Sequence, residues 1–205
     1  RIGVDYVFDT TFSADLTIME EGTEFLSRMQ NHGVLPLITS CCPAWVKYCE
    51  TYGYDQLDHL STAKSPQQMF GAVIKTFFAE KEKIDPKDIC SVSVMPCTAK
   101  KFECRRKEFH DSGFQDVDIS ITVVELAKMI RTAGIHFEDL EDQEFDAPFG
   151  LGSGAGQIFG STGGVMEAAL RTVYEVLTGK TLERLEFTQV RGLEGIREAS
   201  LTISG

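Results

Sequence analysis

The stretch Val34-Leu-Pro-Leu-Ile-Thr-Ser-Cys-Cys-Pro-Ala-Trp45 passes from an apolar run, through adjacent cysteines, into a proline. The run from Val34 to Thr39 predicts a short strand. Pro43 has no N–H to satisfy, which suits the first turn of a helix over Ala44 to Thr51. Cys41 and Cys42 are thereby placed on a strand-to-helix loop. A second unit repeats the plan: Asp88 to Met95 alternates as a strand and delivers Cys97 at its carboxyl end. Ligand sites in open parallel sheets gather outside the carboxyl ends of strands, so both cysteine loops are expected at one edge.

The same alternation extends in both directions. Leu16, Met19, Leu26 and Met29 recur at helical spacing between Ser13 and Gly33, with Asn31 to Gly33 as a stop signal. Ser65-Pro66 reads as cap and first turn of a helix through Met69, Val73, Phe77 and Phe78 to about Lys81. Val117 to Ile121 predicts another strand, and Thr122-Val-Val-Glu125 is a capping-box pattern opening a helix to about Ala133. Glycines at 150, 152, 154, 156, 160, 163 and 164 then form a loop ahead of an apolar helix from Val165 to Leu177. The expected class is α/β: two lobes, residues 1–88 and 89–205, each a small mostly parallel sheet flanked by helices, with the site in the cleft between them.

Composition narrows the partners. The chain has 205 residues, 42% hydrophobic, and a formal net charge of −11, which would repel nucleic acid and anionic membrane. No apolar run approaches the roughly 18 to 20 residues that span a bilayer. Six cysteines in a chain with no secretory signal point to a reducing, cytoplasmic compartment and to thiols that ligate metal or pack in cores. There is no C-x-x-C pair, so a metal site would have to be assembled from distant segments. The chain opens on Arg1-Ile-Gly-Val without an initiator Met and closes on Ile203-Ser-Gly205, and it is expected to be an internal piece of a longer protein.

Each motif has an ordinary reading beside a chemical one. A thiolate at a helix N-terminus is favoured by the dipole and the free amides, which suits Cys42 as a ligand, yet paired cysteines also serve as small buried hydrophobes. Glu21, Glu24 and Arg28 share one helix face, a spacing that by itself describes a solvated stripe.

Thr39-Ser-Cys-Cys-Pro-Ala-Trp45 and Met95-Pro-Cys-Thr-Ala-Lys-Lys-Phe-Glu103 resemble, in order, the first two cluster-binding signatures of the [FeFe]-hydrogenases. That resemblance implies an H-cluster, a [4Fe-4S] cubane joined through a cysteine to a diiron unit carrying CO, cyanide and a bridging dithiolate. It implies Cys42 and Cys97 as two of the four cubane ligands and Cys41 as the first protein acid and base. Lys100 would hydrogen-bond a cyanide and neutralise its anionic charge. Met95, Pro96, Gln67, Phe159 and Glu103 would line the cofactor pocket, and Glu21, Ser61 and Glu24 would relay protons outward from Cys41, with Arg28 near the exit. The implied reaction is reversible reduction of protons to H2, with ferredoxin or a similar electron carrier as partner. The third signature is missing and no cysteine follows Cys104, so the segment alone should not assemble a competent cluster. A hydrogenase-like iron-sulfur protein with a sensory or cluster-assembly role is the alternative. Relatives of the assembly kind tend to lose the doublet or the relay acids, which this chain keeps. Cys49, Cys90 and Cys104 are read as structural thiols.

Overall fold

The computed structural model describes residues 2–183, 185, 187–190 and 194–202; the chain-end readings at Arg1 and at Ile203 to Gly205 lie outside them. In chain order come α1 (Thr11–Gln30), α2 (Pro43–Tyr52) and α3 (Pro66–Val73), which continues through a π-helical turn at Ile74–Phe78 into α4 (Ala79–Glu82). Next are β1 (Val92–Met95), α5 (Ala99–Glu103), β2 (Ile119–Thr122), α6 (Val123–Thr132), α7 (Gly154–Ile158) and α8 (Gly164–Thr178). Two short strands follow, β3 (Thr188–Gln189) and β4 (Arg197–Glu198). β1 and β2 pair in parallel with Val92 opposite Ile119, and α5 and α6 pack on them. β3 and β4 pair antiparallel. The α/β class expected from the alternation is what the chain adopts.

Local chemistry explains most boundaries. Ser65 caps α3 by accepting the Gln68 N–H at 3.4 Å. Thr122 and Glu125 close a reciprocal capping box on α6, with the Thr122 N–H donating to the Glu125 carboxylate at 2.7 Å. One expected element is reduced: the run from Val34 to Thr39 contributes only a parallel bridge between Ile38 and Leu60. Pro36 lacks the N–H that a continuing ladder needs. The strand around Val94 is also shorter than expected, because Pro86–Asp88 forms a 3-10 turn before it.

Packing fixes α3 as the central post. Phe70, Ile74 and Phe78 are buried and gather Phe8, Phe12, Ile84, Ile89 and Phe149 around them. Phe8 meets Phe78 edge-on at 5.2 Å between centroids, a geometry worth about 0.5–1.5 kcal/mol beyond area burial. On the other side Gly71 lies against the backbone of Asp116; a Cβ there would come within 2.4 Å of the Asp116 carbonyl oxygen. Lys75 in the π turn is buried and pairs with Asp118 at 2.8 Å, and Lys64 pairs with the fully buried Asp116. These contacts tie α3 and its flanks to the stretch leading into β2.

Candidate active site

α1 presents Glu21, Glu24 and Arg28 along one face, and the loop ahead of α3 brings Ser61 against it. The Ser61 hydroxyl donates to Glu24 Oε2 at 3.1 Å and accepts the Ala63 N–H at 3.1 Å. Thr62 donates to the same oxygen from its amide at 2.9 Å and its hydroxyl at 3.1 Å. Arg28 pairs with Glu24 at 2.6 Å and donates to the carbonyls of Val34, Asp58 and Leu60. Burial acts to raise the Glu24 pKa, but the Thr62 amide, Arg28 and the two hydroxyls outweigh it, and the carboxyl titrates below its ordinary value. Glu24 is therefore an ion.

Glu21 is the opposite case. It is 2% exposed and neither carboxylate oxygen has a hydrogen-bond partner. Burial pushes its pKa up, with the Glu24 charge adding to the shift; the Ser61 side chain and the Ser40 backbone lie near enough to oppose it without forming well-aligned bonds. The Cys41 thiol is likewise pushed up by burial and by the neighbouring Glu21 charge, against the pull of Lys100 and Thr39. Cys41 thus remains a protonated thiol at neutral pH. Cys41, Glu21, Ser61 and Glu24 form a series that runs from groups favouring the neutral form to one favouring the ion.

On the far side of Cys41, Lys100 Nζ donates to the Cys41 carbonyl at 2.8 Å and meets both Glu103 oxygens, at 3.0 and 3.1 Å. Glu103 also accepts from Ser65 Oγ at 2.9 Å and Gln67 Nε2 at 3.0 Å. The Gln67 carbonyl in turn accepts from Ser93 at 2.7 Å and Ser120 at 3.3 Å, tying the group to β1 and β2. Three stretches distant in sequence, around residues 41, 67 and 100, converge here.

Cys42 and Cys97 are exposed thiols; Cys42 has extended backbone at φ −95°, ψ 106° and caps α2. Among the described residues no three His, Cys, Asp or Glu side chains cluster as a metal site. Met95 is half-buried and Pro96 exposed where β1 ends. Phe159 caps α7 and belongs to a different part of the site, packed by its backbone against Gly164. Asp15 fastens that glycine-rich loop to α1, accepting from Ser153 Oγ at 2.8 Å and from the Gly156 N–H at 2.7 Å. Sequence reading passed over Asp15, Thr62, Ser93 and Ser120; only Ser65 carried a signal, its position before proline, and that announced a cap.

An α/β domain with paired loop cysteines beside a buried acid series is the setting of the hydrogenase-like iron–sulfur proteins. More specifically, the chain belongs to the family of the iron only hydrogenase large subunit, C-terminal domain, which matches residues 1–205. It is 54% identical to the NADP-reducing hydrogenase subunit HndD of Solidesulfovibrio fructosivorans, covering 99% of this chain and 36% of that protein. It is 50% identical to the periplasmic [Fe] hydrogenase large subunit of Nitratidesulfovibrio vulgaris, covering 100% and 49%. Apo [FeFe]-hydrogenase HydA1 from Chlamydomonas reinhardtii superposes with a TM-score of 0.83 at 49% identity, over 95% of this chain and 50% of that one. A more distant relative, the cytosolic iron-sulfur assembly component 3 of Bos taurus, is 34% identical over 93% of the chain. The chain spans at most about half the length of these relatives.

Proposed function

We propose that this chain is the proton-handling and half-ligating segment of an enzyme that interconverts H2 with protons and electrons. The observation that carries the reading is the Cys41–Glu21–Ser61–Glu24 series, in which burial favours the protonated forms of Cys41 and Glu21 while Glu24, bonded to Ser61, favours the ion. A cluster-assembly protein would have no turnover for such a series to serve. The residues present fit an H-cluster in kind: Cys42 and Cys97 are accessible soft thiols for two corners of a [4Fe-4S] cubane. The orphaned Glu21 carboxyl and the Lys100 ammonium both act on Cys41.

When bound, the H-cluster supplies the electron storage and the open iron position for hydrogen chemistry. Cys41 would hold and release the proton at Sγ, and Glu21 would pass it to Ser61. Glu24, kept ionised by Arg28 and Thr62, would receive it near the surface. Met95, Pro96, Gln67, Glu103 and Phe159 would wall the diiron unit and exclude bulk water. The remaining two cubane thiolates would come from outside this chain, so the activity belongs to the longer enzyme. Its electron partner would be ferredoxin or a similar carrier and its compartment the cytoplasm; no helix among the described residues is long and apolar enough to cross a membrane. The two lobes would divide near residue 88, joined through the Lys64–Asp116 and Ser65–Glu103 contacts.

The discriminating experiment compares Cys41→Ala with Cys42→Ala in the full-length enzyme. Cys41→Ala should keep its iron and lose most turnover, whereas Cys42→Ala should lose iron. Equal iron loss in both would overturn the assignment.

A further inference from the structure

Lys100, half-buried, faces two acceptors of different kinds, the Cys41 carbonyl at 2.8 Å and the Glu103 carboxylate at 3.0 Å. An ammonium has three protons. The carbonyl takes one; if the two carboxylate oxygens, at 3.0 and 3.1 Å, share a second, the third N–H is free to turn to a bound ligand. Glu103 itself is 3% exposed and is anchored by Ser65 and Gln67, two donors that hold it in place against Lys100. The pair is also electrically complete: one positive and one negative charge cancel over a single buried contact.

We propose that Glu103 is the positioning residue of Lys100, fixing the ammonium against the Cys41 carbonyl and cancelling its charge, so that Lys100 offers the diiron unit one directed N–H and no net charge. The inference rests on the H-cluster reading and corrects one part of what the family resemblance implies, that Lys100 neutralises the anionic unit. With Glu103 in place, the positive charge is already compensated. A directional hydrogen bond remains, and net charge and hydrogen bonding at an iron centre are the levers that set its potential.

Glu103→Gln keeps an oxygen for Lys100 and a side chain of the same size but leaves the ammonium uncompensated. In the full-length enzyme loaded with the cluster, its reduction potential should move upward, because added positive charge favours the electron-rich state, and the cyanide infrared bands should shift. Glu103→Asp restores the charge and should return both towards the parent. A loaded Glu103→Gln enzyme with the parent's potential and bands would overturn the proposal, while a parent enzyme showing no cyanide bands after loading would overturn the cluster reading instead. A second arm needs no cofactor. In the apo enzyme, Lys100→Gln and Glu103→Gln should each lower the folding equilibrium constant about 10²-fold, since each strands a buried charge, and the double variant should recover much of that loss. Purely additive losses would show that the two charges are not paired.

Discussion

The Ser61 hydroxyl donates to Glu24 Oε2 at 3.1 Å, and the same side chain lies beside the buried Glu21 carboxyl. Burial favours the protonated form of Glu21, and Ser61 could accept a proton from it only by passing its own to Glu24. Ser61→Ala removes the bridge without adding charge. In the full-length enzyme it should lower turnover about 10²-fold or more, the scale of a lost proton-transfer group, with iron content unchanged. Unaltered turnover would place the proton route elsewhere.

Glu21 also predicts a pH signature in the protein without its cluster. Its folded-state pKa lies above the ordinary 4.5, so the native state binds the proton more tightly than the unfolded chain. The stabilisation this provides is complete below about pH 4.5 and is lost as pH rises through the raised native value. Glu21→Gln stays neutral throughout. Urea midpoints measured from pH 4 to 8 should therefore fall less with rising pH for Glu21→Gln than for the parent, and parallel curves would refute the buried-acid assignment.

How far sequence alone reached depends on the range of the interaction. The capping box at Thr122 and Glu125, the Ser65-Pro66 helix start and the Asn31 to Gly33 stop are local chemistry, and each appears where the pattern placed it. Val34 to Thr39 was misjudged because apolar content outweighed Pro36, whose missing N–H limits pairing to the bridge at Ile38. The site shows the same division. The family resemblance pointed to Lys100 and Glu103, but their convergence with Cys41, Ser65 and Gln67 depends on how α3 and α5 pack. Serines 93 and 120 look like ordinary strand residues until the fold turns them toward Gln67.

That packing hinges on a glycine. Gly71 has ordinary helical geometry, and its requirement is steric: an added Cβ would lie 2.4 Å from the Asp116 carbonyl oxygen, 2.6 Å from its carbon and 2.6 Å from a Val117 methyl. Two of those are backbone atoms that cannot rotate away. Gly71→Ala gains helix propensity, yet overpacking at such a contact costs about 1–3 kcal/mol and should win. Lower urea stability is the expected reading, accompanied by weakening of the Lys64–Asp116 pair; a more stable variant would show that α3 can slide away from residue 116 at little cost.

Asp15 offers the last test, because it acts on the site from a distance. Its carboxylate accepts from the Ser153 amide and hydroxyl and from the Gly156 amide, capping α7 with a side chain borrowed from α1. Gly152 and Gly156 approach α1 so closely that a Cβ on either would meet Thr11 at 2.6 Å or less, so the loop is seated by both contact and charge. Asp15→Ala removes the charge-assisted bonds and leaves the contact. By analogy with lost helix caps, stability should fall by about 1–2 kcal/mol. The change should be local: amide exchange at residues 153–160 should accelerate well beyond that in α3, and Phe159, at the end of the same turn, should loosen with it. In the loaded enzyme, Asp15→Ala should then bind the diiron unit less tightly while the iron of the cubane is retained. Uniform exchange across the chain would instead make Asp15 a general stabiliser of α1, with no particular hold on the glycine-rich wall.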